Sequence, residues 1–173
     1  MSKDYCGFEN ETGETGFLAG VIDVISDNLG MVLDFAEALD ADIFYVKDND
    51  ISLLNDSVKK RLHHYNQKYG CNVPEEKIDA LDFQLKEIKT DIVSFVYSQM
   101  KQYSSNNALS DEVNKFLNDL EWYLWKPLCI YSPIKMPDKN VHTLGKIYLY
   151  EAWNYFFISY HNYLVLLIFG TVE

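Results

Sequence analysis

Near its end the chain carries two apolar runs, Ala152–Tyr160 and residues 163–169, separated only by His161 and Asn162. Aromatic and β-branched residues dominate both. Two polar residues between such runs read as the turn of a β-hairpin. Side chains alternate along a strand, so Trp153, Tyr155 and Phe157 fall on one face and Phe156 and Ile158 on the other. Both faces are therefore apolar, and the hairpin has to be covered from two sides, with helices as the expected cover. Residues 146–151 read as a further strand or as the start of the first arm.

The same region raises the question of a membrane. Glu151, Asn154, Ser159, His161 and Asn162 interrupt it with groups that are costly in hydrocarbon. The uninterrupted stretch, 163–169, is too short to span a bilayer. The N-terminus, Met-Ser-Lys-Asp-Tyr-Cys-Gly, lacks the basic and apolar regions of a signal peptide. Cys6, Cys71 and Cys129 are odd in number and far apart, which fits free thiols in a reducing compartment. The expectation is a soluble, cytoplasmic protein.

Upstream, the hydrophobic period is helical. Leu18, Val21, Ile22, Ile25, Leu29, Val32, Phe35 and Ala36 recur at three and four over residues 16–39. Ile43 to Val46 is a short apolar run that fits a strand or a turn of helix. Residues 51–69 predict a second helix, with Leu54, Val58, Leu62 and Tyr65 on one side and Gly70 as its stop. Its far face carries Lys59, Lys60, Arg61 and Lys68, which can pair with the acidic first third. Pro74, Glu75 and Glu76 suit a helix start. Ile78, Leu81, Leu85, Ile88, Ile92 and Phe95 then predict one helix reaching residue 103. Ser110 can cap a fourth helix built on Val113, Phe116, Leu117, Leu120 and Leu124, with Pro127 at or just past its end. Pro133 and Pro137 mark a loop.

A chain of 173 residues suits one domain. The predicted fold is mainly α with a C-terminal β-hairpin, an α+β arrangement of about four helices packed around a small antiparallel β element. Residues 1–15 are expected to be flexible, 16–126 helical, and 146–170 the hairpin region.

Charge is distributed unevenly. The first fifty residues hold twelve Asp and Glu against Lys3 and Lys47, a surplus of ten, while the remaining 123 hold fourteen acids and thirteen bases. Such a field attracts a basic surface and repels nucleic acid. Asp34, Glu37, Asp40, Asp42, Asp48 and Asp50 are the expected docking patch, with Phe44 and Tyr45 as aromatic anchors. The only basic cluster, Lys59 to Arg61 with Lys68, sits in a chain of net charge −11 and reads as a solvated helix face, not a nucleic-acid stripe.

Catalytic and cofactor chemistry finds no motif. Gly13, Gly16 and Gly20 make neither a P-loop nor a dinucleotide fingerprint. Asp48-Asn49-Asp50 opens like a calcium loop, but its sixth position is Leu53 and its twelfth Lys59. His63 and His64 are neighbours that point about 100° apart on a helix, and His142 and His161 have no partner at ligand spacing. There is no Ser nucleophile elbow. The expectation is therefore no catalytic residue, no metal and no cofactor.

The run Glu151-Ala152-Trp153-Asn154-Tyr155-Phe156-Phe157-Ile158, followed by Tyr163-Leu164-Val165-Leu166-Leu167-Ile168-Phe169-Gly170-Thr171-Val172-Glu173, resembles the endings of some bacterial immunity proteins. These belong to contact-dependent growth inhibition and related polymorphic toxin systems. The resemblance implies a cytoplasmic, non-enzymatic protein whose partner is the toxin domain delivered by a neighbouring cell. Those toxins are often nucleases, which carry basic surface to hold phosphates, and an acidic inhibitor can occupy it. The family supplies no binding motif that maps onto particular residues here. The alternative reading is an acidic adaptor or regulator of another basic protein. Oligomeric state is not legible in the sequence.

Overall fold

A computed structural model describes residues 13–30, 40–47, 50–101, 108–125, 129–133, 138–148 and 152–171. Among these residues eleven main elements follow one another. They are α1 (Gly13–Gly30), β1 (Asp40–Tyr45), α2 (Leu54–Tyr69), α3 (Glu75–Asp79), β2 (Leu85–Ile88), α4 (Ile92–Met100), α5 (Leu109–Leu124), β3 (Cys129–Pro133), α6 (Asp138–Tyr148), β4 (Ala152–Tyr160) and β5 (Tyr163–Thr171). A 3-10 turn, Ile51–Leu53, precedes α2.

The five strands form one antiparallel sheet in the order β1-β5-β4-β3-β2. The hairpin lies at its centre, with Tyr160 opposite Tyr163 and His161 at φ 49 in the turn. All seven residues 163–169 are buried. That requires cover on both faces, and helices supply it. On one face Ile43, Ile130, Phe156, Ile158, Val165, Leu167 and Phe169 pack against residues of α1, α4 and α5. On the other, Phe44, Tyr155, Phe157, Leu164, Leu166 and Ile168 pack against residues of α2, α3 and α6. The result is a helix–sheet–helix sandwich with two cores separated by the sheet.

This corrects the expected architecture. Among the described residues the β component is a five-stranded sheet, not a small hairpin element, and six helices surround it instead of about four. Residues 16–126 are not uniformly helical, because β1 and β2 interrupt them. The expected long helix of residues 74–103 is instead α3, β2 and α4. Its regular apolar spacing is shared between two cores. Ile78, Leu81 and Leu85 belong to one layer, and Ile88, Ile92 and Phe95 to the other. A single helix presents one stripe to one side, whereas this segment passes from one face of the sheet to the other around β2, an edge strand.

Local contacts fix that break. Asn55 of α2 accepts from the Phe83 backbone N–H at 2.7 Å and donates to the Asp82 carboxylate at 3.2 Å. Asp91, just before α4, takes a left-handed conformation at φ 53. Residues 146–148, expected in a strand, complete α6, whose Leu144, Ile147 and Tyr148 are buried at helical spacing. Other expectations stand. Leu54, Val58 and Leu62 face the core from α2, and Gly70 ends it at φ 62. Helix α5 buries all five expected residues, although Ala108 and not Ser110 precedes it. Residues 1–12, most of the stretch expected to be flexible, and Pro127 lie outside the described residues. No helix among the described residues is long and apolar enough to cross a membrane.

Candidate functional site

The eight expected docking residues do not form one surface. Asp34, Glu37 and Asp48 lie outside the described residues. Asp40 opens β1 opposite Ile168. Asp42 and Phe44 alternate onto the inner face of β1, where α2 and α6 cover them, and both are buried, Asp42 to 3% exposure. They are removed from the docking patch. Strand alternation decides this, because Ala41, Ile43 and Tyr45 point to the opposite side.

Asp42 is part of an internal lock. Its Oδ2 accepts from the Tyr148 hydroxyl at 2.8 Å, and its Oδ1 from the Ile43 N–H at 2.9 Å. The Arg61 guanidinium stands 3.9 Å from the carboxylate and donates through Nη2 to the Ile43 carbonyl at 3.3 Å. Burial works to lower the Arg61 pKa, but Asp42, with Tyr65 and Tyr148, outweighs it and raises it. Burial, followed by the Asp42 charge, pushes the Tyr65 hydroxyl well above its ordinary range. Ser57 donates to the Tyr45 carbonyl at 2.9 Å. Side chains of α2 therefore take up backbone acceptors of β1, an edge strand, which discourages pairing with a further strand.

Two expected residues are exposed at the surface, each with its own local partner. Tyr45 is 54% exposed, with its ring edge-on to Tyr163 at 5.6 Å. Asp50 accepts from both the N–H and the hydroxyl of Ser52, which hold its pKa below the ordinary carboxylate value. It is a local cap. Tyr45 sits at the hairpin end, where the next residue's N–H, that of Val46, reaches the Asn162 carbonyl.

A second surface escaped the sequence reading. Helix α5 buries Leu109, Val113, Phe116, Leu117, Leu120 and Leu124 and turns the rest outward. Trp122 falls about 180° from that stripe and is 69% exposed, with its ring edge-on to Tyr123 at 4.9 Å. Trp125 ends the helix in a left-handed conformation, φ 56, and is 87% exposed. A bulky side chain at positive φ is uncommon, and glycine is the usual occupant of this position. The helix carries Asp111, Glu112, Asp119 and Glu121 against Lys115 alone. Beside it, α4 and α5 enclose a groove of about 180 Å³ lined by Ile92, Val93, Asn114, Leu117, Asn118 and Glu121. That volume is below the range of small-molecule pockets. The signal was present in the sequence: one tryptophan off the apolar stripe of an otherwise regular helix and a second just past its end.

Titratable groups elsewhere are dispersed. His63 contacts Asp79 at 2.8 Å on the surface. Among the described residues, no group of three or more His, Cys, Asp or Glu is placed to hold a metal ion. Compared with known protein families, curated proteins and solved structures, the chain matches none.

Proposed function

We propose that this chain is a bacterial immunity protein that binds and neutralises a cognate toxin domain, with a nuclease as the expected class. It acts in the cytoplasm by occupying its partner and performs no reaction of its own. The observation that carries the reading is the pair of exposed tryptophans, Trp122 and Trp125, on an acidic helix face. Tryptophan dominates the energetically decisive positions of protein interfaces, and acidic neighbours select a basic partner and speed its approach. A nuclease must present basic surface to phosphate. The overall charge of −11 and the C-terminal resemblance point the same way. Docking is assigned to the outer face of α5, in place of the acids of residues 34–50.

The test is co-expression with the product of the adjacent gene. The proposal expects co-purification and rescue of growth from that protein's toxicity. A neighbouring product that is harmless, or toxic but neither bound nor neutralised by this chain, would overturn it.

A further inference from the structure

The sheet has two outer strands, β1 and β2, and the described residues cover only one of them. At β1, Ser57 and Arg61 of α2 donate to the Tyr45 and Ile43 carbonyls. At β2, among the described residues, no hydrogen bond reaches the main chain of Leu85–Ile88 from outside its pairing with β3. In an antiparallel ladder every second residue turns its N–H and C=O away from the partner strand, so β2 offers donors and acceptors along its outer side. The limits of this open edge are fixed. Asn55 accepts from the Phe83 N–H at 2.7 Å and donates to the Phe83 carbonyl at 3.4 Å, which closes the main chain just before β2. Asp91, at φ 53, breaks the extended conformation shortly after it.

We infer that β2 accepts an extended segment of a partner protein as a further antiparallel strand of the sheet. Main-chain hydrogen bonds hold such a strand, and alternate side chains choose it. Leu85 and Ile88 are half-buried and belong to opposite layers, so apolar residues are favoured opposite both. Lys86 is exposed and has no ion-pair partner among the described residues. An acid opposite it makes a favourable cross-strand pair, and a base is repelled. Glu87 is held by Lys89 at 3.4 Å and selects no charge. The segment that fits therefore reads, from its N-terminus, apolar, neutral, acidic, apolar. A second copy of this chain fits poorly. A two-fold axis through a pair of identical strands sets a residue opposite itself, so pairing centred on the strand brings Lys86 against Lys86 or Glu87 against Glu87. The inference goes beyond the proposed function and does not rest on docking at α5.

The experiment uses the full isotope-labelled chain and two short capped peptides, Gly-Val-Thr-Glu-Val-Gly and the same peptide with lysine in place of glutamate. The glutamate peptide is expected to shift the backbone amide signals of Leu85 to Ile88 saturably and to slow hydrogen exchange at alternate amides of β2. The lysine peptide should bind about fivefold more weakly. Lys86→Glu should reverse that order, and Lys86→Gln should remove the difference. N-methylating the main chain of the glutamate peptide should abolish its binding. The inference is overturned if the glutamate peptide gives no saturable shift, if its shifts map to β1 or α5, or if the Lys86→Glu chain ranks the two peptides as the parent does. Shifts of the β2 signals on concentrating the chain alone also overturn it, because they mark a second copy as the occupant.

Discussion

The Tyr148 hydroxyl donates to Asp42 Oδ2 at 2.8 Å across 106 residues of chain. This contact joins α6 to the edge strand β1, and Arg61 of α2 completes it from the third side. An acid from the most negatively charged part of the chain is thus used to assemble one layer of helices on the sheet. Arg61, expected to pair with the acidic first third, does so here.

Replacing Asp42 is therefore expected to affect folding before binding. Asp42→Ala leaves Arg61, Tyr148 and the Ile43 N–H without their shared acceptor. Breaking a buried charge pair from one side costs about 3 kcal/mol. Urea denaturation should show that loss, whereas Asp50→Lys, at an exposed local cap, should leave the unfolding free energy close to the parent's.

Alkaline stability gives a second check. Burial raises the Tyr155 hydroxyl far above its ordinary 10.0. The unfolded chain gives up this proton near pH 10 and the folded chain only well above it. The stabilising contribution is thus whole below pH 10 and declines as pH rises past it. Each such tyrosine steepens the decline by about 1.4 kcal/mol per pH unit, and Tyr65 is raised in the same direction. Tyr155→Phe should flatten the fall in unfolding free energy above pH 10 by about that amount.

The aromatic stack inside the α1/α4/α5 layer predicts a large core effect. Phe156 is fully buried, stacked on Phe169 at 5.4 Å and edge-on to Phe95 at 5.8 Å. Phe156→Ala should cost about 3–5 kcal/mol in chemical denaturation.

Trp125 should show the opposite balance. Its left-handed backbone costs about 1 kcal/mol that glycine would not incur. Trp125→Gly is expected to raise the melting temperature slightly while weakening partner binding, the pattern of a residue kept for its surface. Lower stability with unchanged binding would contradict this.

The hairpin was legible through two largely apolar runs around a two-residue polar turn, and α2 and α5, each serving one core, through a stripe with a terminal glycine or acidic first turn. Residues 78–95 misled because their even spacing conceals a passage between two cores, which only the partner strand β3 reveals. Asp42 misled because an acid in a charged region reads as solvated, and its partners Arg61 and Tyr148 are distant in sequence. Of the expected docking residues, Tyr45 and Asp50 are exposed. Trp122 and Trp125 were visible as exceptions to a helical stripe, yet their meaning depends on exposure, which a sequence does not state.

The most direct measurement is the affinity of the cognate toxin for the Trp122→Ala/Trp125→Ala chain, by titration calorimetry beside the parent. Two interface tryptophans at about 2 kcal/mol each predict a fall of roughly a thousandfold with folding intact. An affinity equal to the parent's would contradict the placement of docking on α5.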